Sequence, residues 1–391
     1  MTTLRLKEGK HHRTRNGHLW VFRDELDTAA IPADLPAGTA VRVETSYGYD
    51  MGVGFWHPQS QIAVRLLRYN AEPDTDFFIS RLRDALRLRE RLFADEPAYR
   101  LCFGESDLLP GLIIDRYGDY CAVQHLSAGA DLRAGMISDA LQAVLPGLRG
   151  IIAKNDSQLR TKEGLTRTEQ ILFGEIPDTL TIRENGVQLD VSLLHGQKTG
   201  YFLDQRLNRK TVADYAHGLR VLDCFTNQGG FALNAAHGGA AETTGVDISA
   251  DAIERCRHNA NLNGFGQCTF IVADVFDYLK EQAQGGAQWD MVILDPPAFT
   301  KSKAAIPQAK RGYAEINRQA LKLIPPGGFL VSSSCSHHIT EEMLMEVITH
   351  ESRRINRRLK LVHRGMQSPC HPIYLHMPET AYLKFFVFEV W

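Results

Sequence analysis

The sequence lacks long apolar runs, paired cysteine motifs and an excess of either charge. None of its uncharged apolar stretches approaches the roughly 20 residues that a membrane-spanning helix needs, so we expect no membrane segment. Residues 1–8 carry no apolar signal core. The seven cysteines are dispersed, odd in number and free of any CxxC pair. This pattern argues against a disulfide framework or a zinc ribbon and leads us to expect a reduced, cytoplasmic setting.

The balance of charge also excludes a basic coating over the whole protein. The chain has 44 Lys and Arg against 46 Asp and Glu, a formal net charge of −2, so any nucleic-acid surface has to be local. With 391 residues, a length of about 150 residues per domain predicts two or three domains. An apolar fraction of 44% excludes a largely disordered chain.

Residues 1–72 read as a small β-rich module, with strands predicted over 41–44 and 62–67. Its first 23 residues are locally basic and contain Trp20 and Phe22. Such a patch can hold phosphates and stack bases, and Lys10, Arg13 and Arg15 are our candidates for contacts to an RNA backbone. A solvated face with Trp20 in the core explains the same pattern equally well.

Residues 73–180 predict a central α+β domain, and a two-residue hairpin follows it. Asn185-Gly186 separates two segments of alternating apolar and polar residues, 180–183 and 187–191, which is a strong hairpin signal. The elements predicted in the central domain are helices over 75–93 and about 130–144 and strands over 112–115, 120–124 and 150–154.

From about residue 200, strands and helices alternate, which predicts an α/β fold with a doubly wound, mostly parallel sheet. We assign the whole of 181–391 to this domain, with the hairpin leading into it. The last apolar run, 382–388, is expected to close the sheet. The other strands are predicted over 220–225, 243–247, 268–272, 291–295 and 328–333.

Three acidic residues follow the first three strands of this region, in an order that suggests a nucleoside ligand. The first turn, Asp223 to Phe231, is not GxGxxG, so the dinucleotide fingerprint is absent. Asp223 suits an ammonium group, and Gly229 lets a ligand approach the backbone. Asp247 can accept hydrogen bonds from ribose hydroxyls, and Asp274-Val275 can border an adenine. S-adenosylmethionine combines these features. Each acid alone could equally be a helix cap.

The fourth and fifth strands end in residues with chemistry of their own. Asp295 is followed by Pro296, Pro297 and, after Ala298, Phe299, which offers a flat surface to a planar substrate. Cys335 ends the fifth strand. A thiolate that adds to carbon 6 of cytosine makes carbon 5 nucleophilic, and an acid near N3 stabilises the adduct. A metal site is disfavoured because the adjacent His337 and His338 fit no zinc spacing.

These residues, in this order, resemble the bacterial 23S rRNA cytosine-C5 methyltransferase I family. The matching motifs include 17–22, typical of a PUA module, and 103–118, typical of the central domain. The resemblance implies a Rossmann-like methyltransferase domain, S-adenosylmethionine as donor, 23S rRNA or an assembling large subunit as partner, and a homodimer. Carried over by position, Cys335 is the nucleophile and Asp295 the base-positioning acid.

The resemblance also supplies expected cofactor contacts. The segment 196–206 would lead into the catalytic domain, with Phe202 helping to cover the cofactor. The other residues expected to line the cofactor are Asp223, Phe225, Gly229, Asp247, Asp274 and Val275. Pro296-Pro297-Ala298 occupies the place, just after the acid, where another group of RNA cytosine-C5 methyltransferases has a second cysteine, so the acceptor of the carbon-5 proton is unassigned.

Other functions stay open at this point. A relative on the same fold that methylates a base nitrogen, such as that of guanine, would need no nucleophilic Cys335. A non-catalytic RNA-binding or assembly protein would use the basic module but would not need an intact cofactor crevice. A methyltransferase for small molecules would leave the N-terminal module without a role.

Overall fold

The computed structural model describes residues 1–196, 198–300 and 302–391. Gln197, within the segment expected to cover the cofactor, and Lys301 lie outside the described residues. The chain forms two compact units. The first comprises Met1–Ile182, Val191–Leu203 and Pro369–Thr380, and the second comprises Arg183–Asp190, Asp204–Ser368 and Ala381–Trp391. A division into three domains at 72/73 and 180/181 stays a prediction.

The N-terminal part of the first unit is a five-stranded sheet with a short helix. Its strands run in the order β1-β3-β4-β5-β2, with β1 and β3 parallel and the other pairs antiparallel. The predicted strands over 41–44 and 62–67 are confirmed as β3 and β5. The elements are β1 (Thr2–Arg5), α1 (His12–Arg15), β2 (Trp20–Phe22), β3 (Ala40–Glu44), β4 (Asp50–Trp56) and β5 (Ile62–Leu66).

The first unit also contains a second five-stranded sheet, in the order β10-β9-β8-β7-β6. The elements are α2 (Thr75–Leu92), β6 (Ala98–Phe103), β7 (Leu112–Tyr117), β8 (Tyr120–His125), α3 (Ala128–Asp131), α4 (Ala134–Val144), β9 (Gly150–Asn155) and β10 (Thr168–Gly174). The predicted helix over 75–93 is confirmed, and Asp74 caps it by accepting a hydrogen bond from Phe77 N. The helix predicted over 130–144 is divided into α3 and α4. Arg133 leaves the helical conformation there, at φ −109° and ψ 18°, and donates to the carbonyl oxygens of Gly38 and Gly129.

The predicted hairpin is confirmed by strands β11 (Leu180–Glu184) and β12 (Val187–Val191), which pair with each other. Asn185 and Gly186 have φ values of 53° and 87°. Two successive left-handed residues are what a tight two-residue turn of this kind requires.

The second unit contains a seven-stranded sheet in the order β15-β14-β13-β16-β17-β19-β18. The elements are α5 (Arg206–Tyr215), β13 (Arg220–Cys224), α6 (Gly230–His237), β14 (Glu242–Asp247), α7 (Ala250–Leu262), β15 (Cys268–Val272), α8 (Val275–Gln284), β16 (Met291–Leu294), α9 (Ile306–Leu323), β17 (Phe329–Ser334), α10 (Glu341–Arg354), β18 (Leu359–Gly365) and β19 (Lys384–Val390). The first five strands in the order are parallel, and β19 is antiparallel to both of its neighbours.

This topology confirms the doubly wound α/β fold and corrects one detail. The last strand does not close the sheet, because β19 lies between β17 and β18. The edge strand β18 was not predicted, since its side chains are partly or fully exposed and give no apolar run. The strand order reverses direction between β13 and β16. In open α/β sheets, ligands bind outside the carboxyl ends of the strands at such a point.

Among the described residues, no helix combines the length and the apolar character that crossing a bilayer would require.

Candidate active site

The loop that follows β13 has an unusual backbone. Phe225 and Asn227 have φ values of 62° and 51°, a left-handed conformation that is uncommon for residues other than glycine. Gly229 is also left-handed, at φ 81°, and a Cβ there would lie 3.2 Å from Leu233 Cδ1 and 3.3 Å from Cys256 Sγ. Strained backbone of this kind clusters at ligand sites because the surrounding structure must hold it in place. The loop therefore has the features of a built ligand cradle at the switch point.

Asp223, the penultimate residue of β13, is fully buried. Its Oδ2 accepts hydrogen bonds from Thr226 Oγ1 at 2.5 Å and from Ala232 N at 3.0 Å. Its Oδ1 is buried without a hydrogen-bond partner. Burial raises the pKa of Asp223 to about 7, and the Asp295 and Asp247 carboxylates also raise it, against the two hydrogen bonds. Two neighbouring carboxyl groups, Asp295 and Asp247, therefore act on Asp223.

The unpartnered Oδ1 of Asp223 fits a cationic ligand group. A buried carboxylate oxygen without a donor is costly, and an ammonium group would satisfy it. The neighbouring carboxylates add negative charge that favours a cation. These residues therefore fit the amino-acid end of S-adenosylmethionine.

Asp247, the last residue of β14, lies next to the same loop. Its Oδ2 accepts from Asn227 N at 3.0 Å, and its Oδ1 accepts from Ser249 N at 2.9 Å. A carboxylate has about four acceptor positions, so ribose hydroxyls can still bind. Asp247 thus links the loop after β13 to β14 by a hydrogen bond and can also accept hydrogen bonds from the hydroxyl groups of a ribose.

Asp274 has a defined structural task. It is exposed and caps α8, with Oδ1 accepting from Phe276 N at 2.8 Å and Asp277 N at 3.2 Å. This is the helix cap that the sequence also allowed for. Val275 is buried beside it. The role of both residues toward the cofactor stays a prediction.

An aromatic cluster adjoins the loop after β13. The Phe299 ring centroid lies 4.8 Å from that of Tyr313, 6.0 Å from Phe276 and 6.5 Å from Phe225. Phe299 is half-buried and packs against the core of the sheet, and Pro296 is buried. Phe299 therefore combines a core contact with a position near the crevice, rather than standing free as a platform.

Asp295 directly follows β16 and is held by two residues that the sequence did not single out. Its Oδ1 accepts hydrogen bonds from Ser333 Oγ and from Gln205 Nε2, the latter at 2.9 Å. Asn208 Nδ2 in turn donates to Gln205 Oε1 at 2.6 Å. Burial raises the pKa of Asp295 to about 6, although the Ser333 and Gln205 hydrogen bonds lower it. The carboxyl group is therefore fixed in orientation and titrates close to neutral pH.

Cys335 directly follows β17, the parallel neighbour of β16, so the two predicted catalytic residues leave adjacent strand ends. It is partly buried and not disulfide-bonded. The preceding Ser334 Oγ accepts a hydrogen bond from Tyr313 Oη at 2.8 Å. Burial raises the pKa of Tyr313, and Cys335 and Asp295 both raise it further. The structure thus brings Cys335 and Asp295 together around Tyr313, a buried residue that the sequence did not indicate.

The predicted RNA-contacting residues differ in their surroundings. Lys10 and Arg15 are exposed. Arg13 is engaged inside the N-terminal sheet region, where it donates to both carboxylate oxygens of Glu25 at 3.0 and 2.9 Å. Its guanidinium also lies 4.3 Å from the ring centroid of Phe22. Arg13 therefore has a structural role, whereas Lys10 and Arg15 offer their charges to solvent.

Phe202 belongs to the first unit, whereas the acidic residues described above belong to the second. Lys198 Nζ lies 4.8 Å from its ring centroid, and Phe202 is half-buried. Its place over the cofactor stays a prediction.

Within the described part of the chain, no group of three or more His, Cys, Asp or Glu side chains could hold a metal ion.

Comparison with known proteins connects this site with a family. Residues 158–388 match the family model of S-adenosylmethionine-dependent methyltransferases, and residues 4–69 match a PUA-like domain. A solved protein from Streptococcus mutans, described as a SAM-dependent methyltransferase, has a TM-score of 0.85 at 23% identity, with 100% of both chains covered. A methyltransferase solved in complex with SAH has a TM-score of 0.86 at 22% identity, again over 100% of both chains. At these identities, the two structures show the fold alone.

Curated relatives match over nearly the whole chain. "Ribosomal RNA large subunit methyltransferase I" of Tolumonas auensis is 38% identical over 391 residues, 98% of each chain. The protein of the same name from Aeromonas hydrophila is 38% identical over 97% of each chain. The chain therefore belongs to the ribosomal RNA large subunit methyltransferase I family, within the S-adenosylmethionine-dependent methyltransferases.

Proposed function

We propose that this protein methylates carbon 5 of a cytosine in large-subunit ribosomal RNA, with Cys335 as nucleophile and Asp295 as the acid that positions the base. The observation that carries the proposal is the placement of these two residues. They leave the ends of adjacent parallel strands, β16 and β17, next to the switch point between β13 and β16. Methylation of a base nitrogen would need no thiol at this position.

The cofactor would be held by the loop after β13 and its neighbours. Asp223 would bind the ammonium group, Asp247 the ribose hydroxyls, and Val275 and Phe225 would border the adenine. Gly229 would allow close approach of the backbone. When bound, S-adenosylmethionine supplies an electrophilic methyl group on a positively charged sulfur.

Carbon 5 of cytosine is a weak nucleophile, and Cys335 would change that. Its thiolate would add to carbon 6, forming an S–C6 bond and moving electron density to carbon 5 and N3. Once carbon 5 carries the methyl group, loss of its proton and cleavage of the S–C6 bond would return the thiolate. Cys335 thus acts twice, as nucleophile and as leaving group.

Asp295 would stabilise the adduct at the other edge of the base. Ser333 and Gln205 occupy Oδ1. This arrangement supports a role in which the carboxyl group would face the edge formed by N3 and the 4-amino group. A pKa of about 6 keeps both protonation states accessible near neutral pH, which suits a group that exchanges hydrogen bonds with N3 during addition.

The base must reach this site from an RNA strand. A cytosine inside a duplex cannot be attacked at carbon 6 without being extruded, and extrusion costs least in loops and single strands. The PUA-like region, with Lys10 and Arg15 exposed, would hold the flanking backbone. We therefore propose an unpaired or readily opened cytosine as the target.

The test is nucleoside analysis by mass spectrometry after incubation of large-subunit RNA with enzyme and labelled cofactor. The wild-type protein should produce 5-methylcytidine. Cys335→Ala should reduce product formation by about 1,000-fold or more, while its affinity for S-adenosylhomocysteine stays within about twofold because Cys335 is not expected to bind the cofactor. Cys268→Ala, which changes a partly buried thiol on β15, is the matched control and should be fully active.

Two results would contradict the proposal. Appearance of a methylated guanine instead of 5-methylcytidine would assign the protein to base-nitrogen chemistry. Full activity of Cys335→Ala would show that Cys335 is not the nucleophile.

A further inference from the structure

Lys384, the first residue of β19, lies beside the proposed nucleophile. It pairs with Ser334 across the antiparallel β17–β19 register. Its Nζ donates to the carbonyl oxygen of Ser336 at 2.7 Å and to that of Tyr382 at 2.8 Å. The ammonium group is therefore held between the backbone just after Cys335, at Ser336, and the backbone just before β19, at Tyr382.

An ammonium group has three N–H donors, and the two carbonyl oxygens account for two of them. The side chain is half-buried. Burial lowers the pKa of Lys384 to about 8, whereas the charges of Cys335 and Glu341 act to raise it. Burial therefore disfavours the charged form of Lys384, and the nearby Cys335 and Glu341 favour it.

Other charged and titratable groups surround this pair. Glu341, at the start of α10, forms an ion pair with Arg364 on β18, so its charge is already matched. Tyr313 on α9 contacts Ser334, and Asp295 approaches from β16. On the cysteine's own turn, burial lowers the pKa of His337, and the positive charges of Lys384 and His338 lower it further. Lys384 is thus a half-buried cation whose ammonium group donates one hydrogen bond to the segment after Cys335, at Ser336 O, and one to Tyr382 O.

We propose that Lys384 is a positioning residue for the methyltransferase reaction, whose ammonium group stabilises the thiolate form of Cys335 and fixes the turn that carries it. This inference rests on the proposed function, because it gives Lys384 a purpose only if the Cys335 thiolate attacks the base. An opposite charge close to a partly desolvated thiol favours ionisation. A thiolate is the form that adds to carbon 6, so Lys384 would raise the reactive fraction of the enzyme at neutral pH.

The experiment measures the reactivity of Cys335 directly, without RNA or cofactor. The full-length protein is treated briefly with iodoacetamide between pH 5 and 10, and alkylation of each cysteine is quantified by peptide mass spectrometry. Lys384→Gln keeps N–H donors for the two carbonyl oxygens but removes the charge, whereas Lys384→Arg keeps both. Cys268 in the same sample is the internal control, because it lies on the opposite edge strand β15.

We expect Lys384→Gln to raise the pH at which alkylation of Cys335 is half-maximal by about one pH unit. Lys384→Arg should leave it within about 0.3 unit, since it keeps the charge. The Cys268 profile should not change in either variant. In methylation assays, the loss caused by Lys384→Gln should shrink as the pH rises, because the thiolate then forms without help.

An unchanged Cys335 midpoint in folded Lys384→Gln overturns the inference and leaves Lys384 a purely structural residue. Folding is checked by the melting temperature and by binding of S-adenosylhomocysteine. If Lys384→Gln does not fold, Lys384→Met, which keeps the apolar stem, is judged by the same midpoint. Failure of the proposed function is separate: Cys335→Ala would then be active, whatever the alkylation profile shows.

Discussion

Ser333, the penultimate residue of β17, donates a hydrogen bond to Oδ1 of Asp295, so the end of β17 holds the carboxyl group that follows the neighbouring strand β16. The same strand end also carries Cys335. The paired ends of β16 and β17 therefore carry both proposed catalytic residues. A change in this pairing should affect both together.

Asp295→Asn should lower the methyltransferase activity but raise the stability of the fold at pH 8. Burial raises the pKa of Asp295 from 3.8 to about 6, so the folded protein binds this proton more tightly than the unfolded chain does. Stability contributed by this group is therefore lost as the pH rises from about 4 to 6, and the ionised carboxylate destabilises the fold above pH 6. The neutral amide should raise the free energy of unfolding at pH 8 by about 1 kcal/mol and reduce methyl transfer by about 100-fold or more.

Chemical denaturation at pH 8 and single-turnover methylation measure these two effects. Asp34→Asn, at an exposed position, is the control and should change neither. A destabilised and fully active Asp295→Asn would contradict the assignment.

Cofactor affinity should depend on pH through Asp223. Its pKa is raised to about 7, so at pH 6 the free protein must release a proton before the carboxylate can bind an ammonium group. Calorimetry with S-adenosylhomocysteine should show about tenfold tighter binding at pH 8 than at pH 6. Asp223→Asn should bind more weakly and lose most of this dependence. An unchanged pH profile in that variant would show that Asp223 does not bind the ammonium group.

The basic residues of the N-terminal region should divide into two classes. Lys10→Ala and Arg15→Ala should each weaken RNA binding and reduce the slope of log affinity against log salt by about one, without changing the melting temperature. Arg13→Ala should instead lower the free energy of unfolding by about 1–2 kcal/mol, because it loses the Glu25 hydrogen bonds and the contact with Phe22. Filter binding at several salt concentrations and thermal melts distinguish them. A lower melting temperature for Lys10→Ala would contradict this division.

The parts of the fold that could be predicted are those with local signals. Parallel strands buried on both faces read as apolar runs, and β13, β14 and β16 were found in this way with their acidic ends. The edge strands β10 and β18 were missed because most of their side chains are exposed or half-exposed. The position of β19 inside the sheet, between β17 and β18, also cannot be predicted from the sequence. The order of strands in a sheet depends on contacts between segments that are distant in the chain.

The residues of the candidate active site also divide into those with a local sequence signal and those without one. Asp295 and Cys335 could be singled out because each follows a predicted strand. Gln205, Ser333 and Lys384 could not, since they act through residues 90, 38 and 48 positions away in the chain. One local signal was available for Lys384, a charged residue that directly precedes the apolar run 385–388. Asp274 differs from these residues. The sequence indicated it as a cofactor contact because it follows a predicted strand, and the structure shows it as the N-terminal cap of α8.

The central claim, covalent attack by Cys335 on a cytosine, is tested most directly with RNA that contains 5-fluorocytosine. The fluorine cannot leave as the carbon-5 proton does, so a thiol-dependent enzyme remains bound to the base. With cofactor present, we expect a stable protein–RNA adduct that maps to Cys335 by peptide mass spectrometry and is absent from Cys335→Ala. An enzyme that methylates the unmodified RNA but forms no adduct with the fluorinated RNA would contradict the account and leave Cys335 a structural residue.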